Sequence, residues 1–140
     1  MTIRKFVEND RLDLQKIYLQ SRVSTFNWLD TSKFKLSDFD LSTLNEIIWV
    51  AVYKNKVAGF ISFYEEDNFI HNLYVDTKIK RKGIGSLLLN KVLENTSRPF
   101  SLKCVSKNTN ALDFYLTKGW KVVLREEDDQ GEYCLMRYEL

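Results

Sequence analysis

The seven residues from Lys80 to Ser86, with the sequence KRKGIGS, most constrain how this chain can fold. An apolar, β-rich run from Phe69 to Val75 precedes them, and a helical pattern follows from about Gly85 to Asn95. Glycines between a strand and a helix leave backbone N–H groups unpaired at the helix start, where they favour an anion. The cations at positions 80–82 suit a pyrophosphate in particular. The alternative is a solvated basic loop whose glycines serve only the turn.

The spacing of these glycines does not fit the common nucleotide-binding loops. A Walker loop requires GxxxxGK[ST], and the chain has no such run. A dinucleotide-binding fold would place a third glycine where Leu88 stands and an acidic residue at the end of the next strand, where Lys103 stands. Both kinds of nucleotide site are therefore disfavoured.

The remaining apolar patterns divide the chain into alternating strands and helices. Six further strands are predicted at Ile3–Val7, Ile47–Tyr53, Val57–Tyr64, Phe100–Val105, Trp120–Arg125 and Glu132–Tyr138. Helices are predicted at 12–23, within the aromatic-rich segment 24–43, and at Asn110–Lys118, where Gly119 ends the helix. Because no Pro-, Gly- or Ser-rich linker interrupts the chain, residues 1–140 are predicted to form one domain. The order predicts an α/β (α+β) fold with a mixed, mostly antiparallel central sheet flanked by helices on both faces.

Composition excludes several classes of partner. The chain has 21 Lys and Arg against 19 Asp and Glu, a net charge of +2 that lacks the basic excess of nucleic-acid-binding proteins. His71 is the only histidine, and Cys104 and Cys134 have no companion ligands at metal spacing, so no metal site is predicted. A charged N-terminus and the lack of an apolar run near 18 residues predict a cytoplasmic protein without a membrane span.

Two motifs carry a family resemblance. The run from Leu73 to Leu89 resembles the acetyl-CoA-binding motif [Q/R]-x-x-G-x-[G/A] of the GCN5-related N-acetyltransferases (GNAT). Lys80 takes the Gln/Arg position, and Arg81 stands where many members have glycine. The run from Asn108 to Trp120 resembles a second motif of that family, N-x-x-A-x-x-[FL]-Y-x-x-x-G-F. The order of elements also matches over essentially the whole chain.

The resemblance implies that acetyl-CoA is the co-substrate and lies in a V-shaped gap between strands 69–75 and 100–105. The pantetheine would pair with the strand edge, and backbone N–H groups near Leu73 would polarise the thioester carbonyl. The amine would attack directly, so neither cysteine is expected to be a nucleophile. The implied cofactor-binding residues are Leu73, Tyr74, Val75, Lys80, Arg81, Lys82, Gly83, Ile84, Gly85, Ser86, Asn108, Ala111 and Lys118.

His71 is the candidate general base. An alkyl amine with a pKa of about 10.4 is mostly an ammonium ion at neutral pH, so a group must remove its proton. His71 lies two residues before Leu73, and strict alternation would put both on one strand face. Alternatively, the histidine is simply packed in the structure, and one of the acids at 65–67 acts through water.

Tyr115 is the candidate general acid for the departing thiolate, because a phenol of pKa about 10 can protonate a thiolate of pKa near 8.5. An ordinary packing role for this tyrosine is the alternative. Asn108 could equally cap the following helix, and Lys118 could complement the end of that helix rather than reach phosphates.

The acceptor is expected to be a primary amine of a small molecule or protein, bound by a monomer or homodimer. Phe26 and Trp28, in the segment that also holds Phe34, are implied to form one wall of the acceptor cleft. An acidic turn from Arg125 to Glu132 would form the other wall, or would be only a solvated loop. A non-catalytic acyl-CoA-binding domain is the alternative function, and an enzyme acting on RNA-bound aminoacyl groups is a third.

Overall fold

The computed structural model describes residues 1–79, 82–94 and 99–139. Its strands are β1 (Thr2–Lys5), β2 (Ile47–Tyr53), β3 (Lys56–Tyr64), β4 (Phe69–Val75), β5 (Phe100–Val105), β6 (Lys121–Asp128) and β7 (Gly131–Tyr138). Its helices are α1 (Arg11–Thr25), α2 (Asp38–Ser42), α3 (Ile84–Leu93) and α4 (Thr109–Thr117). In the described part of the chain no helix is long and apolar enough to cross a membrane.

The strands form one sheet in the order β1-β2-β3-β4-β5-β7-β6. Every neighbouring pair is antiparallel except β4 and β5, which run parallel. That parallel pairing involves only Phe69 with Ser101 and Ile70 with Leu102, after which the two strands part. The predicted mixed, mostly antiparallel sheet is confirmed, and the parting of β4 from β5 creates a gap in its middle.

Helices cover both faces of the sheet, as predicted. On one face, Leu14 and Tyr18 of α1 and Phe39 of α2 pack on Val50 and Phe60 of the sheet. On the other face, the buried side of α3 and Tyr115 of α4 form a second cluster, which includes Ile84, Leu88, Leu89, Val92, Ile61, Phe63 and Leu102. The apolar spacing of the helices thus places α3 and α4 on the same face of the sheet, with α3 against β3 and β4 and α4 against β5.

The last hairpin differs from its prediction. The acidic turn expected from Arg125 to Glu132 is wrong, because β6 continues to Asp128 and pairs Glu126 with Tyr133. This hairpin lies at the sheet edge, and most of β6 is exposed to solvent. Acidic side chains there keep their hydration, so the charge run does not end the strand.

Candidate active site

A cleft of about 590 Å³ opens where β4 and β5 part. Its lining includes most of the residues that the sequence assigned to the cofactor: Leu73, Tyr74, Val75, Lys82, Gly83, Ile84, Gly85, Ser86, Asn108 and Ala111, with the candidate acid Tyr115. Two further predicted ligands, Lys80 and Arg81, lie outside the described residues. The end of β4, the start of α3 and the start of α4 therefore meet at one place.

The glycine loop begins α3 in the way that an anion site requires. Gly83 is the N-cap and has a φ of 73°, a left-handed conformation that glycine adopts without the strain of a Cβ atom. The first main-chain bond of the helix runs from the Leu87 N–H to the Gly83 carbonyl, at 3.1 Å. The N–H groups of residues 84–86 precede that bond and lie along the cleft wall.

A glycine on the neighbouring strand allows the close packing of β3 against this wall. A Cβ atom added at Gly59 would lie 2.7 Å from the Tyr74 carbonyl oxygen and 3.2 Å from the Val75 Cα. Both are backbone atoms, so they cannot rotate away. Gly59 therefore fixes the position of the β4 segment that lines the cleft.

Tyr115 lies in the cleft on the inner side of α4. Its side chain is buried, and its ring packs edge-on against Phe114 at a centroid distance of 5.3 Å. Burial raises the pKa of Tyr115 well above 10, and the proximity of Cys104 and Tyr74 adds to the rise. No described residue forms a hydrogen bond with its hydroxyl. The phenol is therefore a neutral donor at physiological pH with its proton available to a bound molecule.

Two predicted cofactor residues have contacts that fit their alternative roles. The Asn108 side chain accepts a 3.4 Å hydrogen bond from the Ala111 N–H and caps α4, while the residue also lines the cleft. Lys118 is exposed and does not line the cleft, and its ammonium group lies 5.8 Å from the centroid of the Phe114 ring.

His71 is not on the face that simple alternation predicted, which corrects the expectation that it aligns with Leu73. The β3–β4 register shifts between the Ser62–Asn72 pair and the Phe63–Ile70 pair, so His71 is the extra residue of a β-bulge. Leu73 packs against the cluster on the α3 face, whereas the His71 imidazole contacts Glu46, which lies between α2 and β2. His71 does not line the cleft described above.

The Glu46 carboxylate determines the proton affinity of His71. Its Oε2 lies 2.8 Å from the imidazole Nδ1. This hydrogen bond raises the pKa of His71 above 6.5, and the charge of Glu46 and the Ser42 carbonyl act in the same direction. Partial burial and the positive charge of Lys103 oppose the rise.

The predicted acceptor residues lie beside the cleft rather than in it. Phe26 and Trp28 pack edge-on at 5.4 Å, and the Lys107 ammonium lies 6.0 Å from the Trp28 ring centroid. On the opposite side, Asp128 forms an ion pair with Lys103, and Glu126 accepts a 3.1 Å hydrogen bond from the Tyr133 hydroxyl. Two of the acids in the segment expected to form the other wall are thus already engaged with neighbouring residues.

Sequence reasoning missed the α1 side of the cleft. Ser21, Ser24 and Thr25 line it, and the Ser21 hydroxyl donates a 3.3 Å hydrogen bond to the Val75 carbonyl. Hydroxyl residues clustered in the last turns of an otherwise amphipathic helix were the available signal. Other lining residues absent from the prediction are Asp76, Thr77, Ile79, Asn110 and Phe114.

Comparison with known proteins gives a consistent result. The apo-form solution structure of YjaB from Escherichia coli has a TM-score of 0.79 at 23% identity, over 98% of this chain and 96% of that one. The ribosomal-protein-alanine N-acetyltransferase of Brucella melitensis has a TM-score of 0.79 at 17% identity, over 100% of both chains. YncA from Salmonella typhimurium, solved with its cofactor acetyl-CoA, has a TM-score of 0.72 at 20% identity, over 100% of this chain and 94% of that one.

These structures share the fold of this chain. A family model described as an acetyltransferase (GNAT) domain matches residues 37–140, a span that begins before α2 and includes β4, α3, β5 and α4. The chain therefore belongs to the GNAT acetyltransferase family.

Proposed function

We propose that this protein is an acetyl-CoA-dependent N-acetyltransferase that transfers an acetyl group to the primary amine of a small molecule or a protein. The observation that carries the proposal is the position of the buried Tyr115 phenol. It lies in a cleft that is also lined by the end of β4 and by the glycine-rich start of α3. This end of β4 is paired with β3 but has no partner on the β5 side. A binding groove alone would not need an acidic proton at that place.

The cleft fits acetyl-CoA, which supplies an activated acyl group as a thioester. The N–H groups of residues 84–86 and the exposed Lys82 form a cradle for the pyrophosphate. A Cβ atom at Gly85 would make an ordinary contact with the Phe114 ring at 3.6 Å, so only a larger side chain at this position would extend into the cleft. Residues 71–75 of β4 have no partner on β5, which leaves their main-chain groups free to pair with an extended chain.

The end of β4 and Tyr115 would act on different atoms of the thioester, the carbonyl oxygen and the sulfur. Main-chain N–H groups of residues 73–75 polarise the carbonyl oxygen and stabilise the negative charge that develops there. As the carbon–nitrogen bond forms and the carbon–sulfur bond breaks, Tyr115 gives its proton to the departing sulfur, and the proton that the attacking nitrogen loses restores the phenol through solvent. Burial, which raises the pKa of Tyr115, keeps the phenol protonated at the start of every turnover.

His71, which lies beside Glu46 and outside the cofactor cleft, would act at the amine. A primary ammonium ion must lose a proton before its nitrogen can attack, and the neutral imidazole accepts it. Because the pKa of His71 is raised above 6.5, its imidazole becomes neutral only at a higher pH than an ordinary histidine does. The proposed activity should therefore increase as the pH rises through the His71 pKa.

A panel of primary amines, each incubated with acetyl-CoA while free thiol is measured, tests the proposal directly. Release of thiol that depends on the amine, with acetylated product found by mass spectrometry, is expected for at least one acceptor. Tight binding of acetyl-CoA by calorimetry with no thiol release for any amine would instead indicate a non-catalytic acyl-CoA-binding domain.

A further inference from the structure

We infer that Glu46 is a positioning residue for the proposed acetyl transfer, because it holds the Nδ1–H of His71 and leaves Nε2 as the atom that accepts the proton. The catalytic role of Glu46 in this inference rests on the proposed function. The structural content of the inference, the protonation pattern of one imidazole, can be measured without any turnover.

The geometry of the pair is asymmetric in the way such a role requires. The Glu46 side chain is only 9% exposed, whereas the His71 side chain is 48% exposed. A carboxylate can only accept a hydrogen bond, so the nitrogen 2.8 Å from it must carry a hydrogen in both the neutral and the charged imidazole. Nδ1 is therefore fixed as the donor, and the proton-accepting lone pair is on Nε2.

The second oxygen of the carboxylate is a separate observation. Glu46 Oε1 is buried and has no hydrogen-bond partner among the described residues. An unpaired buried acceptor is costly, and more so when it carries charge. That cost falls when the neighbouring imidazole becomes positive, so the pair is arranged to favour the state of His71 that has just received a proton.

The backbone on both sides of the pair is fixed. Asn72, the residue after His71, accepts a 3.2 Å hydrogen bond from Ser42 and donates a 2.8 Å bond to Ser62. Ser42 also accepts a 3.0 Å hydrogen bond from the Tyr18 hydroxyl. These contacts connect the end of α2 to β4. Glu46 lies four residues after α2, and its main-chain N–H donates a 3.0 Å hydrogen bond to the Thr43 carbonyl.

Other groups that face His71 come from the neighbouring strand and helix. The Ser42 carbonyl of α2 favours the charged imidazole, and Lys103 of β5 disfavours it. Lys103 is itself paired with Asp128 of β6, and its ammonium group lies 4.2 Å from the centroid of the Tyr133 ring of β7. Of these groups, Glu46 has the largest effect on the pKa of the imidazole, through its hydrogen bond.

Because His71 is the only histidine of the chain, every imidazole signal in an NMR spectrum belongs to it. In protein without a histidine tag, nitrogen-15 NMR of the imidazole reports both its tautomer and its pKa. For wild type we expect the Nδ1–H tautomer, in contrast to the Nε2–H form that an imidazole side chain favours in water, and a pKa above 6.5. An Nε2–H tautomer in wild type would overturn the inference.

The Glu46→Gln variant removes the charge while keeping the shape of the side chain. Its His71 pKa should fall by about one pH unit or more, the usual effect of losing a close opposite charge. Glu94→Gln is the matched control, because Glu94 forms a 2.9 Å exposed ion pair with Lys91 and should leave the His71 spectrum unchanged. An unchanged His71 pKa in folded Glu46→Gln would overturn the inference.

Kinetic measurements show whether Glu46 positions His71 for catalysis or only stabilises the fold. With an amine found in the panel, Glu46→Gln should lower kcat/KM about tenfold or more and move the acidic limb of the pH profile to lower pH. In a His71→Ala background the same substitution should have no further effect on kcat/KM, and a full additional loss would contradict the inference.

A second variant serves if Glu46→Gln misfolds. The NMR measurement separates a failure of this inference from a failure of the proposed acetyl transfer. If Glu46→Gln does not fold, Glu46→Asp retains the charge at a greater distance and should give a His71 pKa below that of wild type. An unchanged His71 pKa in that variant would count against the inference. Wild-type protein that shows the expected tautomer but acetylates no amine would contradict the proposed function and leave the hydrogen bond itself established.

Discussion

The ring of Tyr115 meets the ring of Trp120 edge-on, with the centroids 5.7 Å apart. The main-chain N–H of Trp120 also donates a 3.0 Å hydrogen bond to the main-chain carbonyl of Tyr115. The end of α4 therefore holds both the backbone and the ring of Tyr115, with Trp120 itself almost fully buried. The hydroxyl is the only part of Tyr115 that these contacts leave free to act on a bound molecule.

Tyr115→Phe should lower kcat about 100-fold while leaving acetyl-CoA affinity and thermal stability nearly unchanged, because only one donor is removed and the ring packing remains. Steady-state kinetics and calorimetry measure the two effects separately. Tyr115→Ala, which removes the ring, should also lower stability. Full turnover in the Phe variant would mean that another group protonates the sulfur.

Gly85→Val should weaken acetyl-CoA binding at least tenfold without unfolding the protein, because its branched side chain occupies the cleft wall beside Phe114. Gly85→Ala should fall between wild type and Val, since a single Cβ atom makes ordinary contacts there. Leu87→Val places a branched residue at an exposed position of the same helix and is the control. Unchanged affinity in folded Gly85→Val would place the cradle elsewhere.

Gly59→Ala should destabilise the protein by about 1–3 kcal/mol, the usual cost of overpacking. The added carbon would lie 2.7 Å from the Tyr74 carbonyl oxygen, so β3 and β4 must move apart. Urea denaturation measures the loss of stability, and acetyl-CoA affinity should fall with it because β4 lines the cleft. A variant with wild-type stability would show that the two strands separate without cost.

The ion pair between Arg4 and Asp10 should make stability depend on pH at the acidic end. Two hydrogen bonds of 2.8 and 2.9 Å from Arg4 lower the pKa of the buried Asp10 carboxyl below 3.8. A lowered folded pKa gives stability that is present above the unfolded value and lost as pH falls through the folded value.

Asp10→Asn should therefore cost about 1–3 kcal/mol at pH 7, and the difference from wild type should shrink below about pH 4. Urea denaturation at both pH values measures this. Asp13→Asn removes an exposed carboxylate three residues away, in the first turn of α1, and should change stability by no more than about 0.5 kcal/mol. A difference that stays constant with pH would contradict the assignment.

The thiols should be inert in the folded protein. Burial raises the pKa of Cys104 to about 11, with proximity to Cys134 adding to it, and Cys134 is fully buried. Reaction with a disulfide reagent near pH 8 should be about 100-fold slower than in denaturant. Rapid labelling of native protein, accompanied by loss of activity, would reopen a role for a cysteine nucleophile.

Local patterns were sufficient to group the described part of the glycine loop with Tyr115 at one cleft, because the constraints there act within a few consecutive residues. The position of His71 was not predictable in the same way. Its bulge arises from the pairing of β3 with β4, and its partner Glu46 lies 25 residues earlier in a segment without a regular pattern. Strict alternation along β4 therefore gave the wrong face.

The limited pairing between β4 and β5 has a consequence beyond chemistry. In the strand ladder, only two residue pairs connect the sheet section β1–β4 to the section β5–β7, so a molecule bound in the gap would add main-chain links between them. Such a ligand stabilises the folded state by about 2.7 kcal/mol at a concentration 100 times its Kd. The lifetime of this protein in a cell would then follow the metabolic supply of its acyl donor, with the fold most resistant to proteolysis when that donor is abundant.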